Sequence, residues 1–173
     1  MAISSKSLVV KKSTIPGSGK GLFTKKFIPK GTRILQYKGK ISTWKDANHE
    51  DGANGYIYYL KRTHVIDAKP YKSALARYAN DARGLTRVKG ITNNCEYIEE
   101  GVNVFIHAKR DINAGEELLV PYGPEYWQVI RYNKKLEEDS KDKPSKGTKK
   151  SKKKSGKKST KKTKKKTSKK AAK

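Results

Sequence analysis

The sequence predicts a mostly β domain followed by a disordered basic tail. Short apolar segments alternate with glycine and proline turns, and helical periodicity is scarce over residues 1–139. The chain has 42 Lys and Arg against 16 Asp and Glu, a formal net charge of +26, and 18 lysines lie from Ser140 onward. Residues 140–173 contain no Val, Ile, Leu, Phe, Trp or Tyr, so buried apolar surface cannot offset the entropy of ordering them. We therefore expect one compact domain before a disordered tail over 140–173.

Six segments have the length and composition of β-strands. They are Leu8–Lys11, Arg33–Tyr37, Tyr56–Lys61, His64–Asp67, Val102–Ala108 and Leu118–Tyr122. Gly115 precedes the last segment and suits a turn with positive φ. The apolar run from Leu118 to Val120 is typical of a buried strand, which Pro121 ends.

Two segments favour helices. Tyr71–Tyr78 can form one short helix, and Glu125–Leu136 a second, because Pro124 stands at a favoured first-turn position. The strands are too short and too irregularly spaced for a propeller or an immunoglobulin-like sandwich.

Composition excludes several kinds of site. The single cysteine, Cys95, rules out an internal disulfide and a zinc cluster of cysteines. His49, His64 and His107 lack the spacing of metal ligands, so we expect no metal. No stretch approaches the roughly 18 apolar residues of a membrane span, and the N-terminal apolar run is too short for a signal peptide. We expect a soluble, intracellular protein with no membrane partner.

Two local features suggest a site, although each has an ordinary structural explanation. A loop with glycines at positions 17, 19 and 21 lets backbone approach a ligand closely, but its spacing matches neither the phosphate-cradling nor the dinucleotide pattern. Tyr122, between Pro121 and Gly123, places a hydroxyl at the end of a buried strand, yet such tyrosines are common in cores. Each feature alone fits a plain turn or a core residue.

The order of the motifs along the chain is more specific than any one of them. The series is GKGLF (19–23), IPKG (28–31), YKG (37–39), YIY (56–58), VIDA (65–68), ARYAN (76–80), NC (94–95), RDI (110–112), GEEL (115–118) and YG (122–123). Over about residues 7–127 it resembles the SET-domain protein lysine methyltransferases, in a compact form without flanking cysteine-rich zinc clusters. The resemblance implies a mostly β SET fold of short strands with a C-terminal pseudoknot and one or two short helices, extended by a C-terminal helix to about residue 138.

The resemblance also implies an activity, the methylation of a protein lysine with S-adenosylmethionine as the donor. A core histone tail would be the natural substrate. The attacking amine must be neutral, and a dry aromatic channel beside the positively charged donor would lower the lysine pKa from its free value of about 10.4. Tyr122 aligns with the family's catalytic tyrosine, whose hydroxyl helps to position the amine. A general-base role for Tyr122 is less favoured, because bulk water can accept the proton.

The family's motifs map a cofactor site onto this chain. Its residues would be Ser18, Gly19, Lys20, Gly21, Leu22, Asn80, Asp81 and Trp127. Asp81 stands where the family usually has a histidine, whose backbone contacts adenine and whose side chain braces the pseudoknot, and an aspartate would keep the first role and weaken the second. Asn80 also suits the end of a short helix. Trp127 fits either a platform for adenine or a packing residue of the core.

A channel for the substrate lysine would be lined by Tyr56, Tyr58, Tyr97 and Val120. Val120 stands where many relatives carry a larger aromatic residue, which alone would leave room for a dimethyl or trimethyl product. Tyr97 could restore the restriction, so the degree of methylation stays open.

The lysine-rich tail indicates a second property. It resembles a linker-histone tail in composition, and its cations would bind DNA or RNA phosphates without sequence preference and with strong salt dependence. It has no aromatic residues to stack on bases. We expect a nuclear or chromatin-associated location, in the cell of origin or in a host cell, otherwise a cytoplasmic one, and no secretion. Two alternatives remain, a tail that serves as a solubilising or nuclear-import segment, and a catalytically silent SET fold that binds nucleic acid or chromatin.

Overall fold

The computed structural model of the chain describes residues 3–49, 54–84 and 86–141, with the backbone alone over 139–141. Contacts within the chain divide it into two units, residues 1–142 and 143–173. The sequence predicts disorder over residues 140–173, but residues 140 and 141 belong to a helix that ends at Lys141, and the rest of this prediction lies outside the described residues.

The described part of the fold consists of short strands and one long helix. The strands are β1 (Leu8–Lys12), β2 (Lys20–Thr24), β3 (Arg33–Gln36), β4 (Lys40–Ser42), β5 (Ile57–Lys61), β6 (His64–Asp67), β7 (Cys95–Glu100) and β8 (Asn103–Ala108), followed by the helix α1 (Pro124–Lys141). Ser5–Ser7 and Leu75–Tyr78 form short 3-10 helices. This architecture confirms the predicted fold class.

Three antiparallel sheets surround one main core. Their strand orders are β1-β2, β3-β8-β7 and β4-β6-β5. The core contains residues from all three sheets and from the segment before α1, among them Leu22, Ile34, Ile66, Val104, Ile106, Leu118 and Val120. Burial of these branched side chains contributes about 1.5–3 kcal/mol each relative to exposure, which holds together sheets too small to be stable alone.

Five of the six predicted strands form, each within one residue of its predicted ends. Three further strands were not predicted. β2 contains Gly21 and follows two other glycines, so its pattern is that of a loop, and β4 has three residues. β7 reads CEYIEE. Its three acidic residues obscure the apolar pattern of a strand, because only Cys95 of the six residues is fully buried. Gly115 has a φ of +88°, as the sequence predicted.

The prediction of a sixth strand over Leu118–Tyr122 is wrong. Its backbone groups bond to three separate segments and form isolated bridges rather than a ladder. Leu118 N–H donates to the carbonyl of Leu22 (2.7 Å), and Val120 N–H donates to the carbonyl of Asn80 (2.8 Å). Between them, Leu119 N–H donates to the Asn94 side chain (2.8 Å). The segment therefore threads between residue 80 and residues 94–95, a crossing that is rare among folds and that agrees with the expected pseudoknot.

The first predicted helix is present in part, and the second is present in full. Tyr71–Tyr78 contributes the single 3-10 turn Leu75–Tyr78, and α1 begins at Pro124 and continues to Lys141, beyond the expected residue 138. Among the described residues, no helix combines the length and apolar character that a membrane span requires.

Gly39, just before β4, lies against the backbone of β6. A Cβ at this position would overlap the carbonyl of Asp67. Gly39→Ala is therefore expected to lower the free energy of unfolding by about 1–3 kcal/mol, because backbone must shift to admit the methyl group. Thermal and urea unfolding measure this loss. Lys38→Ala, next to it and exposed, should change stability by less than about 0.5 kcal/mol, and equal stability of the two variants would contradict the close packing at Gly39.

Candidate active site

Two cavities share a wall that contains Tyr122. The larger has a volume of about 1030 Å³ and is rich in aromatic side chains. The smaller, of about 690 Å³, is bounded by the loop before β2 and by the start of α1. Gly55, Arg77, Tyr122, Tyr126 and Ile130 line both cavities. A group bound in one cavity would therefore lie next to a group bound in the other.

Tyr122 is fixed at both ends of its side chain. Its N–H donates to the Asp81 carboxylate (2.9 Å), and its hydroxyl donates to the carbonyl of Ala79 (2.8 Å). Its ring stacks on Trp127, with ring centres 5.9 Å apart and planes within 14°, and meets the edge of Tyr126 at 4.7 Å. Burial raises the pKa of the Tyr122 hydroxyl well above its usual value, so the phenol stays protonated at neutral pH. A protonated phenol can donate a hydrogen bond but is not poised to accept a proton.

Three tyrosines form a compact wall in the larger cavity. The ring centres of Tyr37, Tyr58 and Tyr97 lie 5.0–6.0 Å apart. The hydroxyl of Tyr37 donates to the carbonyl of Tyr56 (2.9 Å), and that of Tyr58 donates to Glu99 (3.0 Å). Burial raises the pKa of all three hydroxyls. The wall is thus uncharged and aromatic, an environment that disfavours a protonated amine through desolvation.

The predicted channel residues divide between the two cavities and the core. Tyr58 and Tyr97 line the larger cavity. Tyr56 lines the smaller one, and 37% of its surface is exposed. Val120 is fully buried in the main core and is not among the described residues that line either cavity.

The predicted cofactor residues divide in a similar way. Ser18, Gly19, Lys20, Asn80, Asp81 and Trp127 line the smaller cavity. Gly19 has a φ of +66°, and a Cβ there would meet nothing within 4 Å, so open space lies beside the loop. Gly21 and Leu22 lie in β2 instead, and Leu22 is fully buried in the core.

Glu117 explains why residue 21 is a glycine. A Cβ on Gly21 would overlap the carboxylate of Glu117. That carboxylate accepts hydrogen bonds from the Ser13 hydroxyl (2.7 Å), from Thr14 N–H (2.7 Å) and from the Asn80 amide (3.0 Å). Glu117 thus fixes the segment before the glycine loop to Asn80, on two sides of the smaller cavity. Sequence reasoning missed this residue, because its acidic pair with Glu116 looks like an exposed turn.

Asp81 is a centre of hydrogen bonding rather than a weakened brace. Its carboxylate accepts from Tyr122 N–H and from the indole N–H of Trp127 (2.9 and 2.7 Å). It also accepts from Arg83 N–H and from the Asn93 amide (2.8 and 2.9 Å). We expected an aspartate to brace the threaded segment less well than a histidine. The geometry differs from that expectation, because both oxygens of the carboxylate accept hydrogen bonds. Trp127 is 7% exposed, packed and hydrogen-bonded while it lines the smaller cavity.

Arg77 is a further residue that sequence reasoning missed. Its guanidinium lies over the rings of Tyr56 (4.2 Å) and Tyr78 (5.4 Å) and lines both cavities. Its Nε is buried and has no hydrogen-bond partner among the described residues. A buried guanidinium N–H without an acceptor is costly, and the contacts of the guanidinium with the two tyrosine rings offset part of this cost. The stretch ARYAN, which has a cation three residues before a polar amide, is the sequence signal that could have identified Arg77.

Comparisons with known proteins agree with this geometry. A family model for the SET domain matches residues 19–123. The N-lysine methyltransferase KMT5A-A of Xenopus laevis is 30% identical over 128 residues, which are 66% of this chain and 36% of that protein. The histone-lysine N-methyltransferase trr of Drosophila melanogaster is 32% identical over 110 residues, 60% of this chain and 4% of that protein. The chain therefore spans well under two thirds of the length of these curated relatives.

A solved structure shows the same fold. The methyltransferase domain of human PR domain-containing protein 2 superposes with a TM-score of 0.51 at 25% sequence identity, covering 68% of this chain and 77% of that domain.

Proposed function

This chain belongs to the SET-domain family, and from that premise we propose that it methylates a lysine side chain of a protein with S-adenosylmethionine as the donor. The observation that supports this most is the position of Tyr122 in the wall common to two cavities. One cavity has the features of a cofactor site and the other those of an aromatic channel for an amine.

The smaller cavity fits S-adenosylmethionine. Its volume of about 690 Å³ is within the usual range of about 300–1,000 Å³ for such sites. The open backbone at Gly19, the Asn80 amide and the aromatic Tyr78 offer hydrogen bonds and a stacking surface. The guanidinium of Arg77, which lines this cavity, suits the carboxylate of an amino acid by its charge. When bound, the cofactor supplies an electrophilic methyl group on a sulfonium sulfur.

The larger cavity would receive the target lysine. Its tyrosine wall excludes water from the alkyl stem, and its protonated hydroxyls add no negative charge that would hold the amine in its ammonium form. Tyr122 and its neighbouring carbonyls would orient the amine, because an in-line displacement needs alignment more than acid or base chemistry. Since Tyr97 lines this cavity and Val120 does not, we propose Tyr97 as the side chain that limits the number of methyl groups.

A direct assay tests the proposed function. The full chain is incubated with methyl-labelled S-adenosylmethionine and, separately, with core histones, nucleosomes or no added protein. Label on a lysine, identified by mass spectrometry of the products, is the expected result. Absence of label on histones, on nucleosomes and on the chain itself would refute the proposal.

The pH dependence of the rate should come from ionisation of the substrate lysine rather than from ionisation of residues in the site. With core histones, kcat/KM is expected to rise about tenfold per pH unit between pH 6 and 8, because the reacting lysine must be neutral. Tyr122 and Tyr97 have pKa values raised by burial, so neither ionises in this range and no falling limb is expected below pH 9. His49 also lines the larger cavity, and His49→Asn should leave the slope unchanged. A bell-shaped profile that peaks below pH 9 would contradict this mechanism.

A core histone is the substrate that we propose. The relative trr is named a histone-lysine N-methyltransferase. The lysine-rich tail would hold the enzyme on DNA by phosphate contacts and so raise the local concentration of histone tails. This supports a nuclear or chromatin-associated location.

Removal of the tail is expected to weaken DNA binding. Deletion of residues 142–173, which follow the end of α1, should lower the affinity for a 20-base-pair duplex by more than tenfold at about 0.1 M salt and reduce the salt dependence, because each phosphate contact contributes a slope of about 0.9. Fluorescence anisotropy at several salt concentrations measures both. A chain with the same tail residues in scrambled order should bind as the original does, since the attraction does not depend on order. Unchanged binding after deletion would refute the tethering role.

A further inference from the structure

The positive charge of the folded domain is concentrated in its first third. Residues 1–45 contain 11 Lys and Arg and no Asp or Glu, whereas residues 46–139 contain 13 Lys and Arg against 15 Asp and Glu. The excess positive charge ahead of the tail therefore comes from the N-terminal strands. Much of it lies on the hairpin of β1 and β2 and its two flanks.

We define the basic hairpin as residues 6–26. Its six lysines, Lys6, Lys11, Lys12, Lys20, Lys25 and Lys26, are all exposed. No ion pair between described residues includes any of them. They form a cationic strip of two groups, with Lys6, Lys25 and Lys26 at one end of the hairpin and Lys11, Lys12 and Lys20 at the other, and no described acidic side chain forms an ion pair with either group.

The lysines of the strip make one repulsive contact and two ordering contacts within the domain. Lys12 lies directly opposite Lys20 in the antiparallel register, and like charges in that position are destabilising. Lys11 Nζ lies 4.1 Å from the centre of the Phe23 ring, and Lys25 Nζ donates to the carbonyl of Lys6 (3.3 Å). These contacts hold two of the cations near the strand backbone. The strip is thus partly ordered before any partner binds, which lowers the entropy cost of binding.

We propose that the basic hairpin binds the phosphate backbone of a nucleic acid, as a second contact that is independent of the tail. β1 has five residues, and at about 3.4 Å per residue its ends are about 14 Å apart. Phosphates recur about every 3.4 Å along the axis of one DNA strand, so the two groups of lysines can contact phosphates about four steps apart. Two cationic groups at a fixed separation suit a regularly charged polymer better than a flexible acidic peptide. The contact goes beyond the proposed methyl transfer and does not depend on it.

Lysine footprinting on the full chain tests this surface directly. The protein is treated briefly with acetic anhydride, with and without a 20-base-pair DNA duplex, and the acetylation of each lysine is measured by mass spectrometry. Lys6, Lys12 and Lys25 should react at least about threefold more slowly with the duplex present, while the exposed Lys61, Lys72 and Lys89 change little. Equal protection of both groups would overturn the proposal. Protection of the hairpin by polyglutamate as strong as that by DNA would also overturn it, in favour of an acidic polypeptide partner.

Charge-reversal variants of the full chain give a second test. The triple change Lys6→Glu, Lys12→Glu and Lys25→Glu should weaken duplex binding more than tenfold at about 0.1 M salt and lower the salt slope by about 3, at about 0.9 per contact. The matched triple change Lys61→Glu, Lys72→Glu and Lys89→Glu alters the net charge equally and should weaken binding less than threefold. Lys20 is left unchanged, because it lines the smaller cavity. Circular dichroism checks folding, and equal losses in folded triple variants would refute a local surface.

Discussion

Replacing Tyr122 by phenylalanine is expected to lower the rate of methyl transfer by about 10²–10³-fold, the usual cost of removing one positioned polar group from a reacting centre. The hydroxyl donates to the Ala79 carbonyl and lies in the wall between the cavities. Without the hydroxyl, the amine would lose one of the fixed polar groups that orient it, and the Ala79 carbonyl would lose its donor. The ring contacts with Tyr126 and Trp127 remain, so stability should change by no more than about 1 kcal/mol.

Single-turnover kinetics and calorimetric titration with S-adenosylmethionine separate the chemical step from cofactor binding. For Tyr122→Phe we expect a lower rate of the chemical step with cofactor affinity within threefold. Tyr132→Phe is a matched control, because Tyr132 lies on α1 with 63% of its surface exposed, and its activity should equal that of the original chain. A fully active Tyr122→Phe protein would remove Tyr122 from the chemistry and leave it as a packing residue.

The sequence predicts Tyr122 as a candidate site residue, but it does not predict the strand β2, which follows the glycine loop. Tyr122 could be identified because proline and glycine flank it and because the ordered motifs give it a family position. The strand β2 could not, because Gly19 and Gly21 look alike in sequence. The structure separates them, since Gly19 has open space beside it and Gly21 lies against the Glu117 carboxylate. That contact joins residues 96 positions apart, and no local pattern contains it.

The threaded segment shows the same limit. Leu118, Leu119 and Val120 are apolar in a row, which predicts a buried strand. They are buried, but their hydrogen bonds go to β2, to residue 80 and to residue 94. Burial follows from local composition, whereas the choice of hydrogen-bond partners depends on the crossing of distant segments.

Asp81→Ala is expected to lower the free energy of unfolding by about 2–5 kcal/mol, because it removes the acceptor of several buried N–H donors. The change leaves the indole N–H of Trp127 and the backbone N–H of Tyr122 without their acceptor, inside a region where Asp81 itself is 2% exposed. Each orphaned buried donor costs about 1–3 kcal/mol. Denaturant unfolding of the purified variants measures the loss. Asp111→Ala removes an exposed carboxylate that accepts one bond, from Lys30 N–H, and should cost less than about 1 kcal/mol.

The same substitution separates two accounts of residue 81. If Asp81 serves chiefly to brace the threaded segment, Asp81→Asn should recover part of the stability, because one amide oxygen can still accept a bond, and activity should recover with it. If the residue matters only through its backbone beside the cofactor, Asp81→Ala should be as stable as the original chain. The four hydrogen bonds of the carboxylate favour the first outcome. The same bonds explain how this SET domain holds Tyr122 in place although residue 81 is an aspartate and not the family's usual histidine. The N–H groups of Tyr122 and Trp127 need an acceptor, and a carboxylate has two oxygens that accept.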